Sequence, residues 1–173
     1  MAEAVDEKRG WWKTVLICVV AIELLGLVSG WLSNSGYGNG WFDGLQKPSF
    51  MPPGWAFGVV WPILYALLGV SLAIALREPA SHHRRLGLTL FFIQLALNFL
   101  WSPIFFAAHD IMLAKWVILV MAAVAAAAAG QFFRLNRNAG LLLLPYIGWL
   151  VFAATLNWTI EALNPGAGMS LIG

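Results

Sequence analysis

Charge is scarce in this sequence. Only 10% of the 173 residues are charged, and the formal net charge is +2. With no basic run, no acidic tail and no nucleic-acid motif, nothing in the chain suits a phosphate backbone, and nucleic acid is excluded as a partner. The one cysteine, Cys18, excludes an internal disulfide, and its place inside an apolar segment makes it an inert core residue. His82, His83 and His109 fall between apolar segments, without ligand spacing to one another or to the cysteine, so no metal or haem site is expected. A phosphate-binding glycine loop, a Gly-x-Ser-x-Gly elbow and a nucleophile with a plausible base are also missing. Hydrolase chemistry is therefore unsupported, and no cofactor is required. No internal repeat is visible.

What the sequence has in abundance is apolar surface. Hydrophobic residues make up 61% of the chain, and the mean hydropathy is +0.78. A soluble domain of this length cannot bury so much, so the class is an integral membrane protein in contact with lipid. Five segments, 11–32, 55–76, 86–107, 111–133 and 141–163, reach the roughly 20 residues that a helical span requires. The expected fold is all-α, a five-transmembrane-helix bundle forming one domain over 1–173. The first segment is too long for the apolar core of a signal peptide, carries Glu23 and lacks a small-x-small site before Trp31, so it reads as a retained helix.

Lys8, Arg9, Lys13, Arg77, Arg84, Arg85, Arg134 and Arg137 fall on one side of these spans, and only Lys47 and Lys115 on the other. The positive-inside rule puts the N-terminus in the cytoplasm and the C-terminus outside. His82, His83, Arg84 and Arg85 read as a solvated cytoplasmic loop that sets this topology. A helical bundle points toward an inner membrane, but the physics of the sequence leaves inner against outer bacterial membrane open.

The connection between the first two spans is the longest, and its second half, 41–55, holds three prolines, two tryptophans, one lysine and one aspartate. Proline fixes φ and extends its predecessor, so this is a stiff, structured loop with the character of a lid. Pro62 and Pro103 are expected to kink or loosen the second and third spans, and such kinks often line cavities. Ala122, Ala126 and Gly130 form a stripe of small residues that suits close helix approach, within the bundle or to a second protomer.

Polar residues inside spans ask for a reason. Gln94, Asn98 and Trp101 are spaced i, i+4, i+7 on one helical face; Tyr146, Trp149, Ala153 and Asn157 share a face of the fifth span; Trp61 and Tyr65 share one of the second. If these stripes converge, they enclose an aromatic, sparsely polar slot for a planar apolar ligand. The competing reading is packing and interhelical hydrogen bonding. Glu23 is mid-span: a proton or cation site, as in a small proton-coupled transporter, or a structural glutamate. Glu161 lies close enough to a helix end to reach water, and Lys115 can snorkel.

Four stretches carry a resemblance. They are Leu45-Gln46-Lys47-Pro48-Ser49-Phe50-x-Pro52-Pro53 within 41–55, Val60-Trp61-x-x-Leu64-Tyr65, the run from Gln94 through Asn98, Trp101 and Pro103 to Phe106, and Pro145-Tyr146-x-x-Trp149-x-x-Phe152-Ala153-x-x-Leu156-Asn157. In this order they resemble the TspO/MBR family of tryptophan-rich sensory proteins and translocator proteins, the peripheral benzodiazepine receptors, and the chain looks like a bacterial member. The resemblance implies a five-helix bundle, commonly a homodimer, whose first loop folds over a pocket for porphyrins such as protoporphyrin IX. It implies pocket residues Trp41, Pro52, Pro53, Trp61, Asn98, Trp101, Trp149, Ala153 and Leu156, with Lys47, Pro48, Ser49 and Phe50 in the lid. It also implies a tetrapyrrole-linked sensory or stress role and, in some bacterial members, light-dependent oxidative breakdown of protoporphyrin through the tryptophans matching Trp61 and Trp149. Some members are reported in the outer membrane. One departure is that Leu156-Asn157 is followed by Trp158 and by no later Lys or Arg, so the sterol-recognition pattern of animal members is degraded.

Overall fold

The computed structural model describes residues 2–168, and side chains from residue 10 onward. Lys8 and Arg9 of the topology count, and the tail beyond Gly168, lie outside the described side chains. The elements are α1 (Ala2–Leu32), α2 (Gly40–Gly44), α3 (Gly54–Arg77), α4 (His82–Ser102) continuing into a π-helical turn (Pro103–Ala107), α5 (Ile111–Leu135) and α6 (Arg137–Leu163). No strand occurs among the described residues. Among the described residues, five helices are long and apolar enough to cross a membrane: Gly10–Leu32, Gly54–Arg77, His82–Ala107, Ile111–Leu135 and Arg137–Leu163.

Polar side chains cap the starts of α4, α5 and α6, and α4 and α6 begin earlier than hydropathy alone marks. Ser81 accepts from the Arg84 N–H, Asp110 from the Leu113 N–H and Asn136 from the Asn138 N–H. The segment read as a loop at His82–Arg85 is thus the first turn of α4. His83 Nδ1 lies 2.9 Å from Gln131 Oε1, and Arg84 donates to the Ala75 and Leu76 carbonyls, closing the end of α3. The connection expected before the fifth span shrinks to Asn136.

The helices pack in the order α1, α3, α6, α5, α4, and α4 returns to α1 to close the ring. Phe91, Ile118, Met121, Phe132, Leu143, Tyr146 and Leu150 fill its centre. The contact between α1 and α3 is close because glycine permits it: a Cβ on Gly69 would lie 2.6 Å from Val19 Cα. The α1 span is the least enclosed, with 11% of its apolar window buried against 33–39% elsewhere. Of the small-residue stripe, Ala126 and Gly130 face outward; the bundle instead takes Ala125, Ala128 and Ala129. Trp12, Trp55, Trp116 and Trp158 also face outward, as interface anchors do.

Pro103 acts through the π-helical turn. The Ala108 N–H reaches back to the Pro103 carbonyl at 2.9 Å. The wider turn delivers Phe105 and Phe106 to a second core with Phe42, Leu45, Ile111, Ala114 and Ile160. The first loop rests on this platform. α3 runs through Pro62, and α6 through Pro145, as continuous helices.

Candidate functional site

Between the ring of helices and the loop lies a cavity of about 600 Å³, within the range of small-molecule sites. The three stripes meet on it: Trp61 and Tyr65 from α3, Asn98 and Trp101 from α4, and Trp149, Ala153, Leu156 and Asn157 from α6. α1 supplies the remaining wall with Glu23, Gly26, Ser29 and Gly30. Leu27 and Trp31, 69% and 78% exposed, line the edge, so the cavity opens beside α1.

The aromatic groups are not parallel plates. Trp61 and Trp149 meet edge to face at 6.4 Å, and Trp61 tilts against Tyr65 at 5.2 Å, which makes an aromatic corner. Trp101 stands apart, stacked on Phe105 at 5.0 Å with its Nε1 donating to the Ala114 carbonyl at 3.1 Å. The Trp149 Nε1 is buried without a hydrogen-bond partner among the described residues. Among the described residues that line the cavity, it is the one indole whose N–H is both buried and without a partner.

One polar chain braces the floor. The Tyr65 hydroxyl donates to Asn98 Oδ1 at 2.8 Å, and Asn98 Nδ2 donates to the Tyr146 hydroxyl at 3.0 Å. The Tyr146 hydroxyl in turn points to Met121 Sδ at 3.3 Å. Asn98 is thus a bridge between α3 and α6 as well as part of the wall. Asn157, with its amide turned to satisfy both atoms, donates to the Ile111 carbonyl at 3.2 Å and accepts from the Lys115 N–H at 3.3 Å, which clamps the start of α5. Gln94 is fully buried and away from the cavity, with neither amide atom paired among the described residues.

Several expected site residues stand elsewhere. Tyr146 is wholly buried behind the wall. Trp41 turns away from the cavity, stacking on His109 at 4.3 Å and donating Nε1 to the Ala167 carbonyl. Pro52 contributes only its carbonyl, which accepts from the Tyr37 hydroxyl, and Pro53 is the N-cap of α3. Lys47, Pro48, Ser49 and Phe50 do not line the cavity; its roof is Asn34–Tyr37, Phe42 and Met51. Lys47 is half-buried, and its ammonium group is already committed. Its Nζ donates to the carbonyls of Phe42, Asp43 and Leu45 at 2.7, 3.2 and 3.1 Å and lies 4.6 Å from the centre of the Phe42 ring. It caps the C-terminal end of α2, where backbone carbonyls gather negative charge.

The parts that hold the roof gave no signal of their own. Asn39 caps α2 through the Trp41 and Phe42 N–H groups and reaches the Phe106 carbonyl. The Gln46 backbone exchanges two hydrogen bonds with the Asn164 side chain, at 2.8 and 2.9 Å. Near the same end, Lys115 Nζ meets Glu161 Oε2 at 2.5 Å, an ion pair where exposure of each group had been expected. No group of metal-binding side chains occurs among the described residues.

Comparison with known proteins gives consistent results. A family model described as TspO/MBR family matches residues 16–163. The chain is 42% identical to the "Tryptophan-rich protein TspO" of Archaeoglobus fulgidus, across 72% of this chain and 80% of that protein. It is 38% identical to the "Translocator protein" of Homo sapiens, across 76% and 79%. It is 35% identical to "Protein CrtK" of Rhodobacter capsulatus, across 73% and 79%.

Proposed function

The chain belongs to the TspO/MBR family, and from that premise we propose that it is a membrane receptor or carrier that takes protoporphyrin IX and similar planar apolar ligands into the cavity. The role that follows is tetrapyrrole-linked sensing or stress response. The observation that carries this reading is the arrival of Trp61, Trp101 and Trp149, from three different helices, on one cavity of about 600 Å³. Flat aromatic surface favours a flat ligand, and the unused Trp149 N–H offers it a hydrogen-bond donor. The outward face of Ala126 and Gly130 supports a homodimer. Clustering of Arg77, Arg84, Arg85, Arg134 and Arg137 at one end of the helices supports a cytoplasmic N-terminus.

The test is a titration of full-length protein in detergent micelles with protoporphyrin IX, followed by tryptophan fluorescence. Saturable quenching is expected, and the Trp61→Ala, Trp149→Ala double variant is expected to bind about tenfold more weakly or worse. Equal affinity in that variant overturns the site.

A second reading is favoured by the 6.4 Å contact of Trp61 with Trp149. Two touching indoles can relay an electron, and a bound porphyrin is a photosensitiser. Light would then drive oxidation of the macrocycle, with dioxygen as the oxidant and source of the added oxygen. Illumination in air is expected to bleach bound protoporphyrin faster than free pigment. Bleaching equally fast in the Trp61→Phe, Trp149→Phe variant removes the chemistry from the protein.

A further inference from the structure

Glu23 is the one charged side chain among the described residues that line the cavity; no lysine, arginine or histidine does so. It makes no hydrogen bond or ion pair with any described residue. It stands nine residues before Leu32, the end of the span, so about 14 Å along the helix at the usual rise. One helical turn after it, Gly26 lacks the Cβ that would collide with the Tyr65 ring, so that ring lies directly against α1 on this side. The carboxyl group and the aromatic corner of Trp61, Tyr65 and Trp149 therefore face the same space.

These features share one electrostatic preference. A carboxyl group inside a membrane span calls for a positive partner, and the faces of indole and phenol rings attract cations. The two cations on the loop side of the spans are committed: Lys47 to three carbonyls and Lys115 to Glu161. We infer that Glu23 is a specificity-determining residue of this cavity and selects planar ligands that carry a protonated nitrogen, against ligands that carry carboxylates. This rests on the reading of the cavity as the ligand site, and sharpens it. Protoporphyrin IX has two propionates and finds no cation on the cavity wall, so its neutral dimethyl ester is the better-matched tetrapyrrole.

The experiment compares ligands of one shape and different charge at neutral pH, using full-length protein in nanodiscs of zwitterionic lipid. The probes are 9-aminoacridine, a planar cation, and acridine, its neutral counterpart, together with protoporphyrin IX and its dimethyl ester. The unmodified protein is expected to favour 9-aminoacridine over acridine by about tenfold, a typical strength for a desolvated charge contact. Glu23→Gln is expected to erase that preference, leave acridine affinity within about twofold, and narrow the gap between diacid and ester. Glu23→Asp, which keeps the charge, is expected to keep the preference, so loss of fold and loss of charge are told apart. A cation preference that survives Glu23→Gln overturns the inference and leaves the cavity assignment standing. Acridine binding that ignores the Trp61→Ala, Trp149→Ala replacement overturns both.

Discussion

Glu161→Ala is expected to lower stability by about 3–5 kcal/mol, the usual loss when one member of a shielded ion pair is removed. The Lys115 and Glu161 side chains are 11% and 27% exposed, and the pair joins the first turn of α5 to the last turn of α6. Without the carboxylate, the ammonium group of Lys115 keeps the rings of Trp158 and Trp116, 4.7 and 5.8 Å away, and no anion among the described residues. Asn157 clamps the same turn of α5, so the damage spreads to the cavity floor. The measurement is the thermal unfolding midpoint in detergent. A double replacement, Lys115→Met with Glu161→Leu, is expected to recover most of the loss, because no charge then remains without a partner. An unchanged midpoint in Glu161→Ala means that water already screens the pair.

Gly69→Leu is expected to separate α1 from α3. The first added atom alone would sit 2.6 Å from Val19 Cα and 2.8 Å from its backbone nitrogen, and a backbone cannot rotate aside as a side chain does. Overpacking of this kind costs about 3 kcal/mol at the upper end of its usual range, occasionally more. Because α1 is enclosed mainly by α3, it has little else to hold its place, and its wall of the cavity moves with it. Ligand affinity and unfolding midpoint should fall together. Gly148→Leu is the control, since an added Cβ there meets nothing within 4 Å. Equal behaviour of the two variants means that the α1–α3 seam tolerates a larger gap.

Much of this architecture is legible in the chain because hydropathy and periodicity are local. Five apolar runs give five spans, and spacing puts Asn98 with Trp101, and Trp149 with Ala153, on shared faces. What periodicity does not give is the rotation of each helix against its neighbours. Gln94 shares a stripe with Asn98 yet turns into the core, and Tyr146 shares one with Trp149 yet lies behind the wall. Trp41 sits in the most recognisable stretch but points to the end of the chain. The roof was harder still. Lys47 reads as a rim charge until the carbonyls of α2 are placed around it. The Lys115–Glu161 and Gln46–Asn164 pairs join residues 46 and 118 positions apart, a separation that no window can register. Helix starts at His82 and Arg137 were masked by their polarity, because the side chains that cap a helix resemble those of a loop.

The tie between Gln46 and Asn164 makes roof and membrane anchor separable. A protein clipped just past Leu163 keeps every hydrophobic span, and so keeps its place in the bilayer. It loses the Asn164 amide and the Ala167 carbonyl that fasten the first loop from the far end of the chain. On the proposed reading of the cavity, the dwell time of a guest would then depend in part on residues that never touch it.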